Sequence, residues 1–361
     1  MADPARTPDL EYREAARVAR KLEALMDLGF ERTFHPPVET RRERVDARTV
    51  RVACARAAMN THVAVTMLGP SVERLEEAVG RAFEEMDRLI GLLSRFDRAS
   101  PVWQLNAAGR LEGPPPEVRE VVGTALAFHG PTGGAFDISV LPLLELFGSR
   151  FGAELPAAPT AAEVRETLER VGAGHVAASR RRIAFAREGM AITLDGIAKG
   201  YIVDAVARVL DRHGVRRYLV DAGGDIRSRG AKEGGAPWEV AVRDPAGGDA
   251  FPDVVALRDG AVATSGTYEV CFDRARTFHH IVDARTGFSP THSVSVSVLA
   301  PTATAADALA TAVLVMEPRA GALFVERLPD CACLIIDRDG RALRSRGWRS
   351  AAPTHPEEAD V

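Results

Sequence analysis

The order in which helix-like and strand-like segments follow one another is the strongest constraint on the fold of this chain. Apolar residues at helical spacing predict helices at 71–93, 115–129, 160–171, 197–213 and 304–316. β-branched and alternating runs predict strands at 61–68, 218–222, 238–242, 254–257, 262–264, 279–282 and 294–299. The two types neither alternate as βα units nor form separate blocks, so we expect an α+β fold rather than a doubly wound sheet.

The two ends of the chain differ from its middle. Residues 1–51 are rich in charge, with one helical rhythm followed by a broken stretch, and we interpret them as a helical N-terminal extension and linker. The main domain is predicted at 52–325. Residues 326–350 are expected to form a C-terminal hairpin that turns at Asp339–Gly340 and packs on that domain. The tail at 351–361 is predicted to be disordered.

The charge balance limits the classes of partner. The chain has 46 Lys and Arg residues against 50 Asp and Glu residues, a formal net charge of −4. So mild a balance gives no electrostatic reason to expect nucleic acid or an anionic membrane. No segment has the length and apolarity of a signal peptide or a membrane-spanning helix, so we expect a cytoplasmic protein without membrane insertion.

The cysteines do not predict a metal site. Cys54, Cys271, Cys331 and Cys333 form no CxxC pair. Cys331 and Cys333 alternate within an apolar run, a pattern typical of two core-facing side chains on one strand. A structural zinc site would need more ligands at suitable spacing.

A first candidate for chemistry is the segment at 304–312. Asp307 and Thr311 are four residues apart, so they share one face of the predicted helix. A carboxylate and a hydroxyl that converge on one point suit a hard cation such as magnesium. The alternative is structural: Asp307 lies early in the helix, where the dipole favours an acid, and Thr311 only packs.

A second candidate is the segment at 194–201, which enters the predicted helix at 197–213. Gly196 and Gly200 permit close approach of the backbone, helix N-terminal amides favour an anion, and Lys199 adds a positive charge. The segment is neither a P-loop nor a dinucleotide fingerprint. By itself it is equally compatible with an ordinary strand-to-helix turn.

A third candidate is the segment at 279–288, where a predicted strand carrying His280 leads past Asp283 into a turn at Thr286–Gly287. Histidine is the side chain best suited to proton transfer near neutral pH. On a strand, the neighbouring His279 would point to the opposite face. A structural role for His280 remains the alternative from this segment alone.

Taken in order, these segments resemble one known family. Its pattern reads approximately L-x-G-I-A-K-G-Y-x-x-D, G-G-D, A-T-S-G, H-I-I-D-P-x-T-G and A-D-A-x-A-T. The corresponding segments here are LDGIAKGYIVD at 194–204, GGD at 223–225, ATSG at 263–266, HIVDARTG at 280–287 and ADALAT at 306–311. The chain is therefore similar to the ApbE-type FAD:protein FMN transferases.

Upstream segments extend the resemblance to about residues 52–325. They are MNT at 59–61, LSRFDRAS at 93–100 and GGAFDISVLPLLELFG at 133–148. Several positions depart from the family pattern: Phe96 replaces a tyrosine, Ala284 replaces the proline of H-I-I-D-P, and Ala310 stands where some members carry an extra carboxylate. In addition, the loop at 100–106 reads SPVWQLN where members often read S-E-L-S-x-L-N.

The resemblance implies an ApbE-like fold related to the tunnelling fold, with FAD bound between two lobes. It implies that the main domain is a flavin transferase domain, with FAD as substrate and Mg²⁺ as cofactor. Magnesium would be held by Asp307, Thr311 and the carbonyl of Ala198, and His280 would be the base. The residues implied to line the flavin nucleotide are Met59, Phe96, Ala135, Phe136, Asp137, Asp195, Lys199, Tyr201, Thr264, Ser265, Gly266 and Val282.

The implied activity is transfer of FMN from FAD to a threonine or serine hydroxyl of an acceptor protein, with release of AMP. Two alternatives keep the same site. If water replaces the acceptor, the chain is a FAD pyrophosphatase that produces FMN and AMP. If no reaction occurs, it is a non-catalytic flavin-binding protein, although the presence of His280, Asp307 and Thr311 argues against that alternative.

Overall fold

A computed structural model of the protein describes residues 38–153, 157–247 and 251–351. Most of the predicted N-terminal extension and the predicted tail lie outside these residues. In the part of the chain that is described, no helix combines the length and the apolar character needed to cross a lipid bilayer.

The described residues form eight α-helices and fourteen strands. The helices are α1 (Val72–Leu93), α2 (Pro101–Ala108), α3 (Pro116–His129), α4 (Leu141–Phe151), α5 (Ala161–Leu168), α6 (Ala198–Arg212), α7 (Ala303–Val315) and α8 (Pro318–Val325). The strands are β1 (Glu39–Arg44), β2 (Val50–Ala58), β3 (Thr61–Gly69), β4 (Arg110–Glu112), β5 (Val176–Ala178), β6 (Arg182–Phe185), β7 (Tyr218–Ala222), β8 (Ile226–Arg229), β9 (Trp238–Val242), β10 (Asp253–Leu257), β11 (Gly260–Gly266), β12 (Ser293–Ala300), β13 (Ala332–Asp337) and β14 (Ala342–Arg344).

One large sheet organises the molecule. Nine strands pair in the order β1-β2-β3-β7-β8-β11-β12-β13-β14, and each of their pairings is antiparallel. Helices α1, α6 and α7 pack on one face of this sheet. A separate two-stranded sheet, β9 with β10, shares a hydrophobic cluster with the large sheet through Ile226, Val262 and Leu334. The predicted α+β architecture is confirmed.

Alternation along the strands explains which face meets the helices. In β3, Val63, Val65 and Met67 are almost fully buried, whereas the residues between them are only partly buried. The buried set belongs to the same cluster as Phe83 and Met86 of α1. Because successive side chains in a strand point to opposite faces, this period-two burial fixes the register of β3 under the helices.

Two local predictions differ from the structure. Residues 279–282 do not form a strand: His279 makes one isolated bridge to Cys271, and irregular backbone follows. Aromatic side chains rather than a strand ladder hold this region, with Phe278 packed against Phe147 and Phe151. Residues 39–44, assigned from sequence to a linker, form β1, which pairs with β2 at the sheet edge. The predicted domain boundaries themselves stay predictions.

Candidate functional site

A cleft of about 770 Å³, open to solvent, lies where α6, α7, β11 and the segment at 280–282 come together. Its wall combines apolar side chains with several acidic, basic and hydroxyl groups, the mixture expected of a small-molecule binding site. The lining residues are Ala135, Phe136, Asp137, Ile138, Val140, Leu144, Thr193, Asp195, Gly196, Lys199, Asp225, Thr264, Ser265, Glu269, His280, Ile281, Val282, Asp307, Thr311 and Val315.

Helices α6 and α7 meet at Gly200. A Cβ atom at this position would lie 2.3 Å from the carbonyl oxygen of Ala303 and 2.9 Å from Cβ of Asp307. The backbone N–H of Gly200 donates a 3.0 Å hydrogen bond to Oδ2 of Asp307. Only a glycine permits this approach, and the approach brings the start of α6 against the acidic face of α7.

Three charged groups gather at this crossing. Nζ of Lys199 lies 3.2 Å from Oδ2 of Asp225, and both carboxylates, Asp225 and Asp307, are buried. Burial raises the pKa of Asp225 to about 6, although Lys199 opposes the shift. Burial, and then the neighbouring Asp225, raises the pKa of Asp307 well above its usual range.

The pKa of Lys199 is also raised, but for a lysine this favours the charged form. Burial alone would lower its pKa, but the charges of Asp225, Asp307 and Glu269 outweigh that effect and raise it. The lysine therefore stays protonated. The raised pKa values of Asp225 and Asp307 mean that one ammonium does not offset the cost of burying two carboxylates, and a cation in the cleft would favour their charged forms.

The hydroxyl of Thr311 lies one turn along α7 from Asp307. Its Oγ1 is 3.2 Å from Oγ of Ser265 on β11. A Cβ atom at Gly196 would lie 3.0 Å from this same Oγ1, so the glycine keeps the space around the hydroxyl open. The structure thus places the predicted carboxylate and hydroxyl on the cleft side of one helix.

The side-chain oxygens of Asp225, Asp307 and Thr311 are suitable ligands for a magnesium ion. The donor atoms are oxygens, the ligand type that hard cations prefer, and Oδ2 of Asp225 is buried without a hydrogen-bond donor in good geometry. Among the described residues, no three His, Cys, Asp or Glu side chains form a ready-made metal cluster. Magnesium typically binds one or two carboxylates and takes further ligands from substrate phosphates, which matches a site of this kind.

The ring of His280 is oriented by the backbone. Its Nδ1 lies 3.2 Å from the carbonyl oxygen of Val270, which also accepts the backbone N–H of His280 at 3.1 Å. Since a carbonyl can only accept, Nδ1 is the donor, and in the neutral ring the lone pair is on Nε2. His280 is half-buried and lines the cleft, so its imidazole is arranged as a proton acceptor there.

His279 has a different environment. It is 1% exposed, and its Nε2 donates a 3.0 Å hydrogen bond to the carbonyl oxygen of Pro290. Its Nδ1 accepts from the backbone N–H of Ile281. Burial lowers its pKa to about 4, so the ring is neutral. His279 therefore packs in the interior, whereas the adjacent His280 lines the cleft. The two rings have different environments although this segment forms no strand.

Asp137 holds the loop that forms the apolar wall. Its carboxylate accepts from the backbone N–H and the hydroxyl of Ser139 and from the backbone N–H of Ala173. Nδ1 of His129 is 3.3 Å away. These bonds fix the backbone at 135–139, which places Ala135 and Phe136 against the cleft.

Five predicted residues are not among those that line the cleft. Met59 occupies the two-residue turn between β2 and β3 with a φ of 51°, and Tyr201 donates its hydroxyl to Glu120. Ala198 begins α6, and Gly266 ends β11. Phe96 is 68% exposed.

Phe96 is connected to the cleft through its neighbour. The Arg95 guanidinium lies 4.0 Å from the centre of the Phe96 ring, and Arg95 Nε donates to Oδ2 of Asp195 at 2.9 Å. Asp195 lines the cleft, so Phe96 lies beside the cleft mouth.

The structure adds lining residues that the predicted site did not include, among them Asp225, Glu269 and Thr193. The sequence contained one usable signal, because Asp225 follows the Gly223–Gly224 turn within a matched motif. Nothing comparable marked Glu269 or Thr193. They reach the cleft only through the fold.

The family comparison agrees with the motifs. The model of the ApbE family matches residues 59–335. The chain is similar to the FAD:protein FMN transferase of Treponema pallidum (strain Nichols), with 35% identity over 242 residues, which cover 62% of this chain and 66% of that protein. It is also similar to the FAD:protein FMN transferase of Escherichia coli (strain K12), with 29% identity over 303 residues, 81% of this chain and 85% of that protein.

Solved structures show the same fold. The ApbE protein of Thermotoga maritima superposes with a TM-score of 0.73 and 32% identity, covering 86% of this chain and 97% of that one. The flavin transferase ApbE of Vibrio cholerae superposes with a TM-score of 0.70 and 26% identity, covering 86% and 98%. Because the family model spans most of the chain and includes the residues of the cleft, this chain belongs to the ApbE family.

Proposed function

We propose that this chain is a magnesium-dependent FAD:protein FMN transferase that acts on a threonine or serine hydroxyl. One observation carries the proposal: His280, with a basic Nε2, lines the same cleft as Asp307, Thr311 and Lys199. A base for a hydroxyl proton and an oxygen-rich site for a cation and phosphates are the two requirements of this reaction. The names of the related proteins support the choice of FAD as donor.

The chemistry follows from these positions. Nε2 of His280 takes the proton of the acceptor hydroxyl, and the acceptor oxygen forms a bond to the FMN phosphorus. The bond from that phosphorus to the bridging oxygen breaks, and AMP leaves with the electron pair. Bound magnesium, held by Asp307 and Thr311 with the Ala198 carbonyl, would neutralise the pyrophosphate charge.

The remaining groups bind and orient. Lys199 offsets part of the negative charge of Asp225 and Asp307, which lets an anionic pyrophosphate approach the two carboxylates. The apolar wall at Phe136, Ile138 and Val282 offers a surface for a flat ring system. We infer that the flavin lies along this wall.

The test separates the three candidate functions. Purified protein is incubated with FAD, magnesium chloride and candidate acceptor proteins that expose threonine and serine, and all products are weighed by mass spectrometry. We expect an acceptor that gains one FMN, with one AMP released for each FMN transferred. Free FMN and AMP without a labelled acceptor would establish a pyrophosphatase, and FAD that stays unchanged but bound to the protein would establish a flavin-binding protein.

A further inference from the structure

The N-terminus of α7 is capped by a side chain from another helix. Oδ1 of Asp204, on α6, accepts the backbone N–H of Ala303 at 3.0 Å, and Oδ2 accepts the backbone N–H of Thr304 at 2.8 Å. The Thr304 hydroxyl donates to the same Oδ2 at 2.6 Å. One buried carboxylate on α6 thus receives three hydrogen bonds from the first turn of α7.

Two further backbone donors near this end are bonded to Thr302. Thr302 caps the next position, since its side chain accepts the N–H of Ala305 and its carbonyl accepts the N–H of Ala306. The first N–H groups of a helix have no partner within the helix. Here two of the four depend on Asp204, so the position of α7 depends on α6.

The turn that precedes α7 is tied to the same carboxylate. Arg227, on β8, bonds the carbonyl oxygen of Pro301 and places its Nε 3.9 Å from Oδ1 of Asp204. The end of β12, the turn and the start of α7 therefore meet at one charged group. None of these residues lines the cleft.

Asp204 lies four residues after Gly200, so both are on one face of α6. On α7, Asp307 lies about one turn beyond Ala303 and Thr304. Gly200 meets Asp307, while Asp204 meets the helix start, which gives two contacts one turn apart on both helices. Two such contacts fix the rotation of α7 about its axis as well as its distance from α6.

We propose that Asp204 is a positioning residue for the reaction: it holds α7 so that Asp307 and Thr311 meet the Ala198–Lys199 end of α6 at the phosphate site. This inference rests on the proposed function. A displacement near 1 Å in such a constellation costs up to about 100-fold in rate. Asp204 touches no substrate and acts only through α7.

Asp204→Asn is the test variant. It replaces one carboxylate oxygen by an amide nitrogen, which would face a backbone N–H donor instead of accepting from it. Asp253→Asn is the matched control. Asp253 is equally buried and accepts hydrogen bonds from Arg344, Trp348 and Ser350, but it holds the C-terminal segment against β10 and lies outside the cleft. Both variants exchange a buried, multiply bonded carboxylate for an amide.

The rate of AMP release from FAD, the FAD dissociation constant and amide hydrogen exchange are measured for both variants. We expect Asp204→Asn to lower kcat about 10- to 100-fold with less than about a threefold change in the KM for FAD, and to speed exchange at 303–307. Asp253→Asn should lose thermal stability but keep kcat and the exchange of α7. Equal losses of kcat in the two variants would overturn the inference.

If Asp204→Asn does not fold, Thr304→Val decides. It removes only the hydroxyl bond to Asp204, and we expect kcat to fall about threefold with faster exchange at the start of α7; unchanged values for both would overturn the inference. Failure of the proposed function has a different signature. The wild type would then leave every acceptor without FMN, whether or not AMP is released, while hydrogen exchange would still show whether Asp204 holds α7.

Discussion

The two halves of the cleft differ in how firmly they are held. One half is built from α6 and α7, which are buried and hydrogen-bonded to each other at successive turns. The other half carries His280 on irregular backbone, beside partly exposed apolar side chains. At the helix crossing, Gly200 leaves no room for a methyl group, and Asp307 is 5% exposed. Val270, whose carbonyl orients His280, is 41% exposed, and Phe288, whose carbonyl accepts the backbone N–H of Asp283, is 38% exposed.

The difference matches the two substrates of the proposed reaction. A pyrophosphate and a cation need charges fixed in place, since preorganised groups cost no rearrangement during the reaction. A protein acceptor needs an accessible surface next to the base. In the proposed reaction, the rigid helices would hold the donor, and the open segment oriented by one backbone carbonyl would meet the acceptor.

The largest expected effect is at the helix crossing. Asp307→Ala should abolish turnover, because it removes the carboxylate of the proposed magnesium site. Stability should change by only about 1 kcal/mol, since losing the acceptor for Gly200 N–H is offset by less crowding of negative charge around Asp225. AMP release and thermal unfolding are the measurements. Substantial activity at limiting magnesium would show that Asp307 does not bind the metal.

In the other half, His280→Ala should lower FMN transfer by about two to four orders of magnitude, the usual contribution of a general base. FAD binding should persist, because Lys199 and the apolar wall remain. The exposed His292 provides a matched control, and His292→Ala should leave transfer unchanged. A variant of His280 that loses FAD affinity as much as rate would indicate a binding role instead.

A third prediction concerns packing. Gly200→Ala should destabilise the protein by about 3 kcal/mol, because the added Cβ would overlap the backbone of Ala303. Gly123, on α3, has open space around its Cβ position, so Gly123→Ala should be neutral or stabilise by up to about 1 kcal/mol. Denaturant unfolding of both variants measures the difference. Similar stabilities would mean that the two helices separate easily.

The smallest effect concerns the pH dependence of stability. The folded-state pKa of His279 is about 4, below the ordinary value of 6.5, so its contribution is fully present above pH 6.5 and is lost as pH falls toward 4. Between pH 7 and pH 5 the loss should be about 2 kcal/mol. His279→Gln should be less stable than the wild type at pH 7 but should show a flatter slope. Unfolding at several pH values tests this, and identical slopes would contradict burial of a neutral His279.

His279 is also a poor control for activity. An orientation away from the cleft, as expected from the sequence, predicts only a mild effect of replacing His279, but the buried ring has two hydrogen bonds. Its replacement should reduce stability and so reduce activity indirectly. An exposed histidine gives the cleaner comparison.

The sequence predicted several of the helices with nearly correct boundaries. The helix predicted at 71–93 is observed at Val72–Leu93 with Ser71 as its N-cap, and that predicted at 115–129 is observed at Pro116–His129. Strong helical spacing with a cap or a glycine at the end marks such elements locally. Helices α2, α4 and α8 were not predicted: α2 and α8 span only eight residues each, and α4 contains Pro142 and Gly148, which are poor helix formers.

The matched motifs also determined the family and most of the candidate cleft residues. His280, Lys199, Asp307 and Thr311 come from three separate segments, yet each was selected from residue type and spacing together with the resemblance. All four line one cleft. A motif records which residues a site uses, because their chemistry limits the choice at each position.

Only the tertiary structure decided how those residues are held. The pairing of Asp225 with Lys199, the cap that Asp204 gives to α7 and the carbonyl that orients His280 join residues whose partners the sequence does not name. The segment at 279–282 shows the same limit, since aromatic packing rather than strand pairing holds it. Local spacing encodes elements and chemistry, whereas burial, charge pairing and backbone orientation arise from contacts between distant segments, which exist only once the chain has folded.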